Sequence, residues 1–219
     1  MPLLYLGLDP SDYDTDQPII HYPLVKVASK SYSAYECCHV FSELQKYTHV
    51  IFISVIEVQL FMECADSHGY KIEDLLTIQF IALGGEIFRT AKAKNLPVVC
   101  ISRDTEYTYL LHWLALRSTE KMYLCISKSG FSIPPIRHAI LYRNIRHQVY
   151  HLYDLTMHVP KVLIDLSDIE QIVFTSPLTV KVFFSLYNRI PAEKTLISMD
   201  SSTKAVSYTH LTLPTSDLV

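Results

Sequence analysis

Thr175 and Ser176 stand directly after the apolar run Ile172-Val173-Phe174 and directly before Pro177. The apolar run fits a buried strand. The segment after Pro177 is helix-compatible, with Val180, Phe183 and Phe184 on one face. Ser176 suits the N-cap and Pro177 the first helical position, where its missing N–H costs nothing. Such a strand-to-helix turn offers free backbone N–H groups and hydroxyls at the carboxyl end of a strand, a ready site for an anion. Ser54 follows Val50-Ile51-Phe52-Ile53 in the same way. Plain helix capping would use the same hydroxyls, and the two uses do not exclude each other.

Other reactive constellations carry less. Asp9, Asp12, Asp14 and Asp16 form an acidic loop, but it lacks the glycine and terminal glutamate of a calcium hand and fits a solvated turn. The ten histidines include no His-x-x-x-His helix with a carboxylate partner; His147 and His151 are four apart on an expected strand. A metal-dependent hydrolase is therefore poorly supported, and no metal ligands are assigned. The five cysteines, Cys37, Cys38, Cys64, Cys100 and Cys125, form no Cys-x-x-Cys and fit buried reduced thiols of a cytoplasmic protein.

The elements that must position these turns alternate along the chain. Strands are expected at 3–8, 19–27, 50–53, 80–83, 98–102, 122–127, 172–174 and 195–199, with extended stretches at 148–155 and 162–165. Helices are expected at 32–47, from the Ser54 cap to 63, at 86–94, 105–117 and 135–144, after Pro177, and from 200. Cys38, Phe41, Leu44 and Gln45 mark the first helix, and Gly84-Gly85 is a turn between strand and helix. Apolar strands with little polar alternation, separated by helices, indicate α/β layers with parallel sheets. The link from 9 to 18 is short for a crossover helix, should its flanking strands be parallel neighbours.

Bulk properties agree with a folded protein. Of 219 residues, 49% are hydrophobic and 19% charged, enough apolar material for a core. A net charge of −3 argues against a nucleic-acid binder, and no apolar run is long enough to span a membrane. The N-terminus lacks the basic region of a signal peptide.

The turn at Ser176 has a twin. Val50–Phe61 lies under Ile172–Phe183 at a shift of 122 (176 − 54), with Phe, Ser, Val and Phe coinciding at 52/174, 54/176, 58/180 and 61/183. The stretch 81–87 repeats as 197–203, and 122–127 echoes 3–8. Duplication of an α/β unit explains this economically, and two similar lobes would face each other across a ligand cleft. By the same shift the second copy would extend to roughly residue 233. The chain stops at 219, and 206–219 resembles the translated read-through of a sequencing adapter, so this tail is expected to be non-native.

With both turns and the repeat in place, the chain resembles the uroporphyrinogen-III synthase family. Val173-Phe174-Thr175-Ser176-Pro177, followed by Val180 and Phe183-Phe184, is similar to that family's second Phe-Thr-Ser-Pro turn and helix, and 50–61 to the first. The segments 80–91 and 196–205 are similar to its two Gly-x-x-Thr segments, and 148–153 to the strand ending in its Val-Tyr. The likeness spans essentially 1–205.

The resemblance implies two α/β lobes joined by a two-stranded connector, with the first lobe discontinuous. Residues 1–24 plus 157–205 would form one lobe, incomplete here, and 28–150 the other. It implies a substrate, hydroxymethylbilane, that loses water and closes with inversion of ring D to uroporphyrinogen III. No cofactor or metal is implied, nor any nucleic-acid or membrane partner; the expected protein is a cytoplasmic monomer. Tyr153 is the implied proton donor to the leaving hydroxyl, a role within reach of a phenol. Ser54, Gly84, Thr175, Ser176, Ser201, Ser202 and Thr203 are the implied holders of the substrate's eight carboxylates.

Three positions depart from the family pattern: Ile53 for Thr, Ile87 for Thr, and Asp200 for Gly, the last setting a negative charge beside an anionic ligand. The competing reading is a two-lobed α/β binding or regulatory protein without turnover.

Overall fold

A computed structural model describes all residues except 1, 11–12, 14, 33–34, 103–106, 188–192, 200–202 and 208–219. The chain divides into two units, residues 1–28 with 154–219, and residues 29–153.

In the first unit, β1 (Leu3–Tyr5), β2 (Ile19–His21), β10 (Gln171–Phe174) and β11 (Thr195–Ser198) form one sheet in the order β11-β10-β1-β2. All its pairings are parallel. β1 and β2 are therefore parallel neighbours, with the short link 9–18 between them. Helix α8 (Pro177–Leu186) lays Val180, Val182 and Phe183 on Leu4, Leu6, Ile172 and Phe174. Strands buried this way carry no polar alternation, which is why they read as unbroken apolar runs.

The second unit holds β4 (His49–Phe52), β5 (Gln79–Leu83), β6 (Val98–Ser102), β7 (Tyr123–Ser127) and β8 (Arg146–Tyr150), in the order β6-β5-β4-β7-β8 and again all parallel. Alternate strand residues face opposite layers. Ile51, Ile81, Leu124 and Ile126 pack with Leu110 and Leu114 of α5 (Tyr107–Ala115) and Ile136 and Ile140 of α7 (Pro134–Tyr142). On the other side Phe52 and Phe80 stack at 5.6 Å, and both meet Phe61 of α2 (Val55–Ser67) edge-on. Helices α1 (Tyr35–Ser42) and α4 (Gly85–Ala93) flank α2. The remaining strands, β3 (Val25–Ser29) and β9 (Tyr153–Met157), pair as a separate two-stranded sheet.

The duplication is visible in topology. The order β11-β10-β1-β2 matches β5-β4-β7-β8, strand for strand, with β10 under β4 and β1 under β7. The α/β reading with two parallel sheets therefore holds. Local expectations needed correction. The expected strand 19–27 is two strands of different sheets, β2 and β3, parted at 22–24. The stretch 32–47 is not one helix: α1 ends at Ser42 and a 3-10 turn, Leu44–Lys46, follows. The buried face is Cys37, Val40, Phe41 and Leu44; Cys38 is only partly buried and Gln45 is exposed. The extended stretch 148–155 breaks at His151-Leu152, so that β8 and β9 belong to different sheets. Residues 162–165 form no strand. Two short helices were not expected, α3 (Ile72–Leu75) and, in the turn after β7, α6 (Lys128–Phe131).

Gly7 closes β1 against the turn after β10. A Cβ there would lie 2.6 Å from Thr175 Cγ2 and 2.8 Å from Tyr5 Cε1. Thr175 is β-branched and has little room to yield. Gly7→Ala is expected to cost about 1–3 kcal/mol of stability through overpacking. Thermal unfolding checks this, and an unchanged melting temperature would contradict it.

Candidate active site

Ser54 ends β4 in extended conformation (φ −149°, ψ 154°) and caps α2, accepting the Glu57 N–H at 3.3 Å. Ser176 does the same after β10 (φ −161°, ψ 160°), accepting the Thr179 N–H at 3.3 Å, with Pro177 at the first helical position. Extended φ/ψ at the cap swings the chain out of the strand while its oxygen satisfies an amide the helix leaves unpaired. In both turns the residue three places on answers back: the Thr179 hydroxyl accepts from the Ser176 N–H at 3.2 Å, and the Glu57 carboxylate accepts from the Ile53 N–H at 2.9 Å. Ser176→Ala is expected to lower stability by about 1 kcal/mol. A melting temperature equal to wild type would show that the cap contributes nothing.

Both turns sit where the strand order of their sheet reverses, between β4 and β7 in one unit and between β10 and β1 in the other. Loops leaving neighbouring strands toward opposite faces open a crevice there, the usual binding place on open parallel sheets. In the second unit that place is filled with polar groups. Glu57, on the first turn of α2, is fully buried. Its Oε1 accepts hydrogen bonds from Ser127 Oγ and, at 2.8 Å, from Ser129 Oγ. Ser127, the last residue of β7, is buried and caps α6 by accepting the Gly130 N–H at 3.1 Å. Ser129 is exposed.

Tyr153 opens β9 and is half-buried. Its Oη lies 3.3 Å from Ser54 Oγ. Burial, reinforced by the Glu57 charge, raises the Tyr153 pKa, so the phenol stays protonated at neutral pH. Burial also raises the Glu57 carboxyl, against the pull of the Ile53 and Ser54 amides and the two serine hydroxyls. Tyr150, almost fully buried at the end of β8, is raised well above an ordinary phenol for the same reason.

The site residues expected from the sequence divide by unit. Ser54, Gly84 and Tyr153 lie in the second unit; the structure brings Ser54 and Tyr153 into contact. Gly84 is buried at the N-cap of α4 with φ +133°, a conformation that L side chains rarely adopt. Thr175, Ser176 and Thr203 lie in the first unit. Thr175 and Ser176 are half-buried, whereas Thr203 is fully buried at the start of a helical segment covering 203–207. Ser201 and Ser202 lie outside the described residues, as do Asp200 and the tail from 208 on. Val206 and Ser207, expected to be non-native, are described: Val206 packs against the first unit's core and Ser207 is buried.

The divergent positions have local explanations. Ile53 sends its side chain into the core shared by α5 and α7, and its amide still serves Glu57. Ile87 is buried, as is its counterpart Thr203. Among the described residues no group of three or more His, Cys, Asp or Glu is placed to hold a metal, and no helix is long and apolar enough to cross a membrane. Sequence reasoning missed Glu57, Ser127 and Ser129. The signal was present in part: Ser54-x-x-Glu57 has capping-box spacing ahead of an apolar run.

Comparison with known proteins bears on this arrangement. Residues 18–208 match the family model for uroporphyrinogen-III synthase HemD. A crystal structure of a mutant uroporphyrinogen III synthase from the extremely thermophilic bacterium Thermus thermophilus superposes with a TM-score of 0.62 at 14% identity, over 97% of this chain and 90% of that one. Uroporphyrinogen-III synthetase from Helicobacter pylori gives 0.58 at 14% identity with the same coverage. At such identity these structures establish a shared fold. No curated protein sequence matches.

Proposed function

Because the chain belongs to the uroporphyrinogen-III synthase family, we propose that it converts hydroxymethylbilane to uroporphyrinogen III in tetrapyrrole and haem biosynthesis, as a cyclising hydro-lyase. The same reading takes it as a cytoplasmic monomer working on a small-molecule substrate without a cofactor.

The observation that carries the chemical part is the phenol of Tyr153 at the Ser54 turn. Loss of the substrate's hydroxymethyl oxygen as hydroxide is poor chemistry in water. A proton delivered from the Tyr153 O–H as the C–O bond breaks lets the oxygen leave as water. The pyrrole nitrogen supplies the electron pair, leaving an azafulvenium cation that is reactive without further help. Its exocyclic carbon is attacked by the substituted carbon of ring D, giving a spiro intermediate. The bond from that ring D carbon to the methylene of ring C then breaks, and the azafulvenium so formed on ring C is captured by the free α-carbon of ring D, closing the macrocycle with ring D inverted. Loss of a proton as the final pyrrole regains aromaticity balances the one donated at the start. A phenol is protonated at neutral pH, the state in which it can begin this sequence.

Isomer choice is a matter of placement, since the unassisted chain closes on the nearer, unsubstituted carbon. Strand-to-helix turns take up the carboxylates through amides and hydroxyls. We assign this to Ser54 and Gly84 in the second unit and to Thr175, Ser176, Ser201, Ser202 and Thr203 in the first.

Turnover is tested by following hydroxymethylbilane in the presence of the protein. Consumption proportional to protein concentration and faster than the spontaneous rate is expected. Consumption at the spontaneous rate, with binding retained, would support the non-catalytic alternative.

A further inference from the structure

We infer that Glu57 is the positioning residue of Tyr153: its buried carboxyl, itself held by the Ser127 and Ser129 hydroxyls, fixes the Ser54 turn whose hydroxyl meets the phenol. The inference rests on the reading of Tyr153 as proton donor.

Capping alone does not call for this arrangement. At the twin position after β10 a threonine closes the box with a short hydroxyl, and its side chain carries no charge into the interior. A carboxyl withdrawn completely from water is costly unless its oxygens are satisfied. Here Oε2 takes the Ile53 N–H from the end of β4, and Oε1 takes the Ser127 and Ser129 hydroxyls from the end of β7. One side chain thus ties together the two loops at the point where the strand order reverses. Tyr153 meets the Ser54 hydroxyl of the first loop. Ser129 is the exposed member of the second, so the network runs from a buried carboxyl to a group at the surface. A phenol bonded to a fixed turn loses the rotation that would carry its O–H away from the leaving oxygen.

Kinetics on four single variants and one double variant separate positioning from plain structural support. Glu57→Gln puts an amide N–H₂ or a weaker acceptor where a carboxyl oxygen stood. It is expected to lower kcat for isomer III about tenfold or more, with KM near wild type. Ser129→Ala, at an exposed position, removes one of the two hydroxyls that hold Glu57 Oε1, with little effect on folding, and is expected to lower kcat several-fold. It decides the matter if Glu57→Gln does not fold. Val58→Ala, in the same helix and fully buried, is expected to lower the melting temperature while kcat below that temperature stays within about twofold of wild type. Adding Glu57→Gln to Tyr153→Phe is expected to cost nothing beyond Tyr153→Phe alone. Wild-type kcat in Ser129→Ala, or an equal loss of kcat in Val58→Ala, would overturn the role of Glu57 while leaving Tyr153 as donor. A wild-type rate in Tyr153→Phe would instead remove the donor reading and this inference with it.

Discussion

Tyr153→Phe is expected to lower isomer III formation by about 10²–10⁴-fold, the usual contribution of a positioned general acid. The substitution keeps the ring and its packing and removes only the O–H. The lost contact is the 3.3 Å approach to Ser54 Oγ. It closes no helix: Ser54 continues to cap α2 through the Glu57 amide. Stability should therefore fall by no more than about 1 kcal/mol, the net worth of one hydrogen bond. The variant should still consume bilane by the spontaneous route, so the product is expected to shift from isomer III toward isomer I. Steady-state rates with isomer separation check this. A Tyr153→Phe protein with the wild-type rate and product would assign the phenol a packing role only.

The largest effect on stability is expected from Phe61→Ala, about 3–5 kcal/mol. Phe61 lies on α2, fully buried, with its ring centroid 5.1 Å from Phe41, 5.3 Å from Phe52, 5.8 Å from Phe80 and 6.0 Å from Tyr150. It joins the strands β4 and β5, helix α1 and the end of β8. Rings held by different elements cannot close over the space that one of them leaves, so the cavity persists and its cost adds to the lost transfer energy. Domains of this kind are stable by only about 5–15 kcal/mol, so the loss is a large share of the total. Urea unfolding at constant slope measures it; a loss below about 1 kcal/mol would mean that the layer repacks. Phe61 also lies one turn beyond Glu57, so collapse of this layer would disturb the site from beneath.

The fold was legible where neighbouring residues carry the whole signal. The run Ile172-Val173-Phe174 with Ser176 and Pro177 declares strand, cap and helix within a dozen positions, and the structure places β10 and α8 there. The repeat added long-range information, because the same pattern at Val50–Phe61 implied the same unit twice. What stayed hidden depends on partners far along the chain. Glu57 on a first helical turn looks like an ordinary exposed partner of the helix dipole. Its burial follows from Ser127 and Ser129, which reach it only because β7 inserts beside β4. The break at His151-Leu152 was equally invisible: the residues on both sides suit strands, and the change of sheet is set by pairing with β7 on one side and β3 on the other. The face of α1 was misplaced by one position because Cys37 and Cys38 are the same residue type, so spacing alone did not tell which one faces the core.

The identity of the ring-closed product tests the central claim most directly. Purified protein is mixed with hydroxymethylbilane, the porphyrinogens are oxidised, and isomers I and III are separated. Isomer III in excess, rising with protein concentration at the expense of isomer I, is the expected result. Isomer I alone at every protein concentration would contradict it.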